Sequence, residues 1–133
     1  MLLTKKTEYA LLSLISIAKS DKPKNVDILS QELNIPKSYL AKILQNFAKN
    51  GILDSFKGVN GGFRLNVKPE DISILKISEI SEDKSPSVFE CSPSQESCPN
   101  AMGSVCSLWP MLNRLQNKID DFLDSLSLQD VIQ

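Results

Sequence analysis

The chain has 133 residues, 41% of them apolar, enough for one hydrophobic core with an appendage but hardly for two independent domains. No apolar run approaches the roughly 20 residues that span a bilayer, and the opening Met1-Leu2-Leu3-Thr4-Lys5-Lys6 lacks the apolar core and cleavage site of a signal peptide. A cytoplasmic protein with no membrane association is expected. The net charge of −1 conceals two unlike halves: residues 1–70 carry eleven Lys and Arg against six Asp and Glu, and residues 71–133 carry four against ten. That asymmetry suits a polyanion-binding module joined to a segment that stays clear of the polyanion.

In chain order, Leu11, Leu12, Leu14, Ile15, Ile17 and Ala18 recur at three- and four-residue spacing, which predicts a long amphipathic helix from Lys5 to about Lys19 with Thr4 as its N-cap. Pro23 ends it. Asn25 caps a shorter helix through Ile28, Leu29 and Leu33, and Asn34 can take the left-handed geometry that closes it. Pro36 suits the first turn of a third helix, whose apolar face is Leu40, Ile43, Leu44 and Phe47 and which Gly51 terminates. Two helices a tight turn apart make a helix-turn-helix.

Beyond Gly51 the apolar period changes, and Ile52, Leu53 and Phe56, then Phe63, Leu65 and Val67, predict two short strands around Gly58-Val59-Asn60-Gly61-Gly62. Such a hairpin in this position is a wing. The Asn60-Gly61 pair can adopt positive φ, and residues without large side chains would let the tip approach a groove closely. A phosphate cradle is excluded, because no helix N-terminus and no Gly-Lys-Ser/Thr follow the loop.

Ser73 caps a short helix through Ile74, Leu75, Ile77 and Ile80. From Ser81 to Ser107 the chain is rich in Ser, Pro and Glu and holds all three cysteines, Cys91, Cys98 and Cys106, without the periodicity of an element of its own. Ser107 is the expected N-cap of a last long helix, in which Leu108, Leu112, Leu115, Ile119, Phe122 and Leu126 fall at alternating four- and three-residue steps. A stripe of that length is expected to pack along a second copy, and Ser127–Ile132 reads as a capped terminal turn. The expected fold is therefore mainly α with a small β-hairpin wing: a winged helix-turn-helix over 1–80, a cysteine-bearing segment over 81–107, and a dimerisation helix with its tail over 108–133.

On the third helix, Lys37, Ser38, Tyr39 and Lys42 are not needed for the core and are expected to face the major groove of a duplex. Lys57, Asn60, Gly61 and Arg64 belong to the wing and are expected along the backbone or in the minor groove. An enzyme is not expected, for the chain contains no histidine, no nucleophile motif and no nucleotide fingerprint.

The ordered set Leu3-Thr4, Tyr9-Ala10, Ser38-Tyr39-Leu40, Gly51-Ile52-Leu53 and Gly61-Gly62-Phe63-Arg64-Leu65 resembles the Rrf-two (Rrf2) family of bacterial regulators, which includes the IscR and NsrR types. The likeness continues through the three cysteines, Leu108-Trp109 and Ser127-Leu128. It implies a homodimeric winged-helix transcription regulator that binds a two-fold DNA operator, with an iron–sulfur cluster on Cys91, Cys98 and Cys106 tuning that binding. The cysteines stand as Cys-x6-Cys-x7-Cys, wider than the gaps common in cluster-binding members, Asn60 replaces a wing glycine, and Ala41 stands where an acid is frequent. Operator preference does not carry over.

With no histidine available, the fourth ligand is a carboxylate, water, a small thiol or a group of another chain. Glu8 is the preferred candidate, since it borders Leu11 and Leu12 on helix 1 and NsrR-like relatives use an acid there to ligate the opposite subunit's cluster. Glu90 and Glu96 are the fallback. Cluster nuclearity, two-iron or four-iron, stays open. Structural zinc and a cluster-free thiol switch remain alternatives, although zinc usually draws on Cys-x2-Cys pairs and none occurs here.

Overall fold

A computed structural model describes residues 3–89, 92–97 and 105–132. Helix α1 spans Lys5–Ala18, and the Thr4 hydroxyl accepts from the Thr7 N–H at 3.4 Å as its N-cap. Its buried face, Thr7, Ala10, Ser13, Leu14 and Ile17, repeats at helical spacing. Helix α2, Val26–Leu33, starts where the Asn25 side chain accepts from the Ile28 N–H at 2.8 Å and ends at Asn34, in the left-handed region at φ 55°. Helix α3, Lys37–Lys49, buries Leu40, Ile43, Leu44 and Phe47. Pro36 stands at its N-cap position, and Gly51 leaves it with φ 79°.

Strands β1, Leu53–Phe56, and β2, Gly62–Leu65, pair antiparallel from Leu53↔Leu65 to Phe56↔Gly62. This register leaves a five-residue tip, 57–61, in place of a two-residue turn. Positive φ falls at Gly58 (98°) and Gly62 (141°), while Asn60-Gly61, which could adopt it, does not, and the tip is closed by the Gly61 N–H donating to the Gly58 carbonyl at 3.0 Å. The hairpin is tied to the body by Lys24, whose N–H donates to the Phe63 carbonyl at 3.0 Å and whose carbonyl accepts from the Phe63 N–H at 2.7 Å. A side chain at Gly62 would place its Cβ 2.4 Å from the Lys24 carbonyl carbon, so glycine is required for this approach.

Helix α4, Ile74–Glu82, is capped by Ser73 and packs on α1. The hydroxyls of Thr4 and Thr7 both donate to the Glu82 carboxylate, joining the start of α1 to the end of α4. Within the segment expected to lack elements, a 3-10 turn occurs at Gln95–Ser97. Helix α5, Trp109–Ser125, has Leu108 and not Ser107 at its N-cap position. The chain enters through a turn in which the Trp109 N–H points to the Cys106 carbonyl at 3.4 Å, and Pro110 has no N–H to be capped.

The C-terminal segment returns to the core. The Ile74 N–H donates to the Leu126 carbonyl at 2.8 Å and the Leu128 N–H to the Ile72 carbonyl at 2.9 Å. Helix α6, Leu128–Val131, opens with a capping box between Ser127 and Asp130, and Leu128 is fully buried. One apolar cluster accordingly includes α1, α2, α3, both strands, α4 and the end of α5.

Candidate nucleic-acid interface and cysteine segment

Burial of Leu40, Ile43, Leu44 and Phe47 turns the opposite face of α3 outward, and Lys37, Ser38, Tyr39 and Lys42 are all exposed there. The Lys37 ammonium lies 2.6 Å from the Asp27 carboxylate, but both side chains are over 60% exposed, so the pair is weak and exchangeable. Tyr39 meets the ring of Tyr9 on α1 edge to face. On the wing, Lys57, Asn60 and Arg64 are exposed and Val59 stands at the tip, 98% exposed. Gly61 differs from these. It is buried, and a Cβ there would lie 2.3 Å from the Phe56 carbonyl oxygen, so this glycine closes the tip and offers no surface.

The Lys24–Phe63 pairing creates a feature that sequence reasoning passed over. A groove of about 420 Å³ runs between the wing tip and the start of α2, lined among others by Lys22, Asn25, Ile28 and Asn60. Its Lys22 is an exposed cation beside the wing. Lys24 serves otherwise: its ammonium contacts both Glu32 oxygens at 2.8 Å and the Ser16 hydroxyl at 2.9 Å. The hydrogen bonds from Lys24 and then Ser16 hold the Glu32 carboxyl below its ordinary value.

Of the proposed metal ligands, Cys91 and Cys98, with the fallback Glu90, lie outside the described residues. Cys106 is half-buried, three residues before α5, and Glu96 is exposed on the 3-10 turn. Among the described residues no three His, Cys, Asp or Glu side chains gather as a metal site. Glu8 is exposed on the first turn of α1 and paired only loosely, 3.2 Å from the exposed Lys5 ammonium. With Leu3, Thr7, Leu11 and Leu12 it lines an apolar groove of about 640 Å³. Its carboxylate is thus exposed at the rim of that groove. Three thiols with one such carboxylate form a donor set that suits iron or zinc.

The stripe on α5 divides between two faces. Leu112, Gln116 and Leu123 are buried within the chain, with Ile119 and Leu126 half-buried beside them. Leu108, Met111, Leu115 and Phe122 point away, between 38% and 62% exposed. Large apolar residues aligned on one helix face mark an interaction surface.

A family model, Rrf2, described as an iron-dependent transcriptional regulator, matches residues 3–133. The chain belongs to the Rrf2 family. Among Rrf2 relatives, the HTH-type transcriptional regulator NsrR of Bacillus licheniformis is 32% identical over 135 residues, covering 99% of this chain and 92% of that protein. The regulator IscR of Aliivibrio salmonicida is 30% identical, covering 99% and 77%. The crystal structure of the oxidized form of Staphylococcus aureus CymR matches with a TM-score of 0.73 at 27% identity, covering 100% of this chain and 97% of that one. This Rrf2 chain is a winged-helix transcriptional regulator of a non-enzymatic family, and no helix among its described residues is long and apolar enough to cross a membrane.

Proposed function

We propose that this protein is a cytoplasmic homodimer that binds a two-fold DNA operator with affinity set by an iron–sulfur cluster on Cys91, Cys98 and Cys106 of one subunit and Glu8 of the other. The observation that carries the reading is the outward presentation of Glu8 on an apolar groove of α1, in a chain whose other exposed apolar face, on α5, begins two residues after Cys106. A second copy laid along these faces covers both. Lys37, Ser38, Tyr39 and Lys42 then read the major groove, while Lys57, Asn60 and Arg64 track the backbone beside it. Similarity to NsrR and IscR, and the iron dependence in the family's description, support the cluster. When bound, it supplies a centre responsive to oxidants and small ligands.

Absorption and Mössbauer spectra of protein purified without oxygen test the ligand set. Cys98→Ala is expected to lose the iron spectrum, and Glu8→Ala to keep a fragile one with altered parameters. A wild-type spectrum and stability in Glu8→Ala would remove Glu8 from the site. The likeness to CymR in its oxidized form favours a second reading, in which the cysteines act directly as a thiol switch. Iron-free protein whose duplex affinity changes on disulfide formation would select it.

A further inference from the structure

Gln116 is the one polar member of the buried face of α5, 3% exposed between Leu112 and Leu123. A carboxamide in such a place is costly unless its hydrogen-bonding groups are used. Here the side-chain NH2 donates to the Pro86 carbonyl and to the Asp120 carboxylate, each at 2.8 Å, and the oxygen accepts from the Val88 N–H at 2.9 Å. Asp120 accepts only, so it sets which way the amide faces and leaves the oxygen for Val88. The pattern is that of a neighbouring strand, bonding the carbonyl of one residue and the N–H of the second residue on. One turn earlier, Asn113 donates to the Ser92 carbonyl at 3.0 Å. Ser92 is fully buried, and its hydroxyl both donates to the Phe89 carbonyl at 2.6 Å and accepts from the Phe89 N–H at 2.7 Å.

We propose that Gln116 and Asn113 are positioning residues that hold the entry to the cysteine segment, at Pro86–Phe89 and Ser92, on α5 by bonds that need no metal. The inference deepens the metal-binding reading above and rests on it for the role of the cysteines. An apolar residue at 116 would match its neighbours on the stripe, so the amide is explained by what it grips. Ordering the backbone ahead of ligation removes entropy that metal binding would otherwise have to offset, and affinity for metal rises accordingly. The clamp also ties that segment to the helix whose opposite face carries Leu108, Met111, Leu115 and Phe122.

The test uses the reduced, metal-free, full-length protein. Amide hydrogen exchange is followed at Val88 and Phe89, and Co(II) is titrated with thiolate charge-transfer absorption as the signal. Gln116→Met keeps the length of the side chain and removes the grip; it is expected to speed exchange at Val88 roughly tenfold or more and to weaken Co(II) binding by a similar factor. Asn113→Ala, at a half-exposed site, moves both readouts in the same direction by less and decides the matter by the same criteria if Gln116→Met does not fold. Wild-type exchange in the variants overturns the proposal, and so does faster exchange with unchanged Co(II) affinity. Wild-type protein that gives no thiolate absorption with Co(II) overturns the metal reading itself, an outcome distinct from wild type that binds and a variant that binds equally well.

Discussion

The rings of Tyr9 and Tyr39 meet edge to face, 5.7 Å between centroids at an interplanar angle of 84°. One residue sits beside Glu8 on α1 and the other in the first turn of α3, so the contact joins the proposed fourth ligand to the proposed reading helix. The Lys5 ammonium, 5.6 Å from the Tyr9 ring centroid and paired with Glu8, belongs to the same group of side chains.

Tyr9→Ala is expected to weaken duplex binding although Tyr9 itself need not touch DNA. Tyr39 would lose its support and would have to be ordered on binding, at a cost of about 0.5–1.5 kcal/mol, or roughly two- to tenfold in affinity. Fluorescence anisotropy with an operator duplex measures this. Unchanged affinity would show that Tyr39 is held by other means.

Lys42→Ala and Lys57→Ala should each weaken duplex binding and lower the salt slope by about one, with no change in melting, because both side chains are exposed. Affinity titrations at several salt concentrations check both quantities. A normal slope in the two variants would move the docking face elsewhere.

The division of α5 predicts opposite outcomes on its two faces. Leu115→Glu with Phe122→Glu would set unpaired carboxylates in the seam between subunits, at several kcal/mol, and yield a folded monomer. Leu112→Glu would instead unfold the chain, since Leu112 is 5% exposed within it. Light scattering and circular dichroism of the two proteins separate these effects; a double variant that stays dimeric contradicts the assignment of the outer face.

Glu32 links acid stability to the base of the wing through Lys24. Its carboxyl lies below the ordinary value in the folded chain, chiefly through the hydrogen bond from Lys24, so its contribution is present above the ordinary carboxylate range and is lost as pH falls through the lowered value. Because the carboxylate is 42% exposed, solvent screening keeps the effect small. Glu32→Gln should melt slightly below wild type near neutral pH, with the gap closing in acid. A gap that widens in acid would contradict the assignment.

Where local chemistry decides the structure, the sequence was readable. The caps at Thr4, Asn25 and Ser73, the left-handed Asn34 and the apolar faces of α3 and α4 follow from short-range pattern. On α1 and α2, by contrast, the expected core residues Leu12 and Ile28 are exposed, and Thr7, Ala10 and Ser13 are buried instead beside Leu14 and Ile17. Long-range pairing was not readable from such patterns. The Lys24–Phe63 bridge, which builds the groove beside the wing, joins residues 39 positions apart, and positive φ falls at Gly58 and Gly62 instead of at Asn60-Gly61. On α5 the heptad reading merged two faces, because Leu112 and Leu115 are equally apolar and only tertiary contact separates them. Gln116 was passed over for the same reason: its partners, Pro86 and Val88, lie in a segment with no periodicity. The DNA-facing residues and the ligand set rested on residue order and on the family resemblance.

In the proposed regulator, occupancy of the cysteine segment sets affinity for DNA. The most direct measurement is the operator affinity of anaerobically purified protein before and after removal of its iron, with absorption spectra recorded on the same samples. Fixing or freeing the angle between two reading helices is expected to change affinity about tenfold or more, equivalent to about 1.4 kcal/mol. The change should be absent in Cys106→Ala, which cannot hold the cluster. Equal affinity of the iron-loaded and iron-free wild-type protein, at matched salt, would contradict the account.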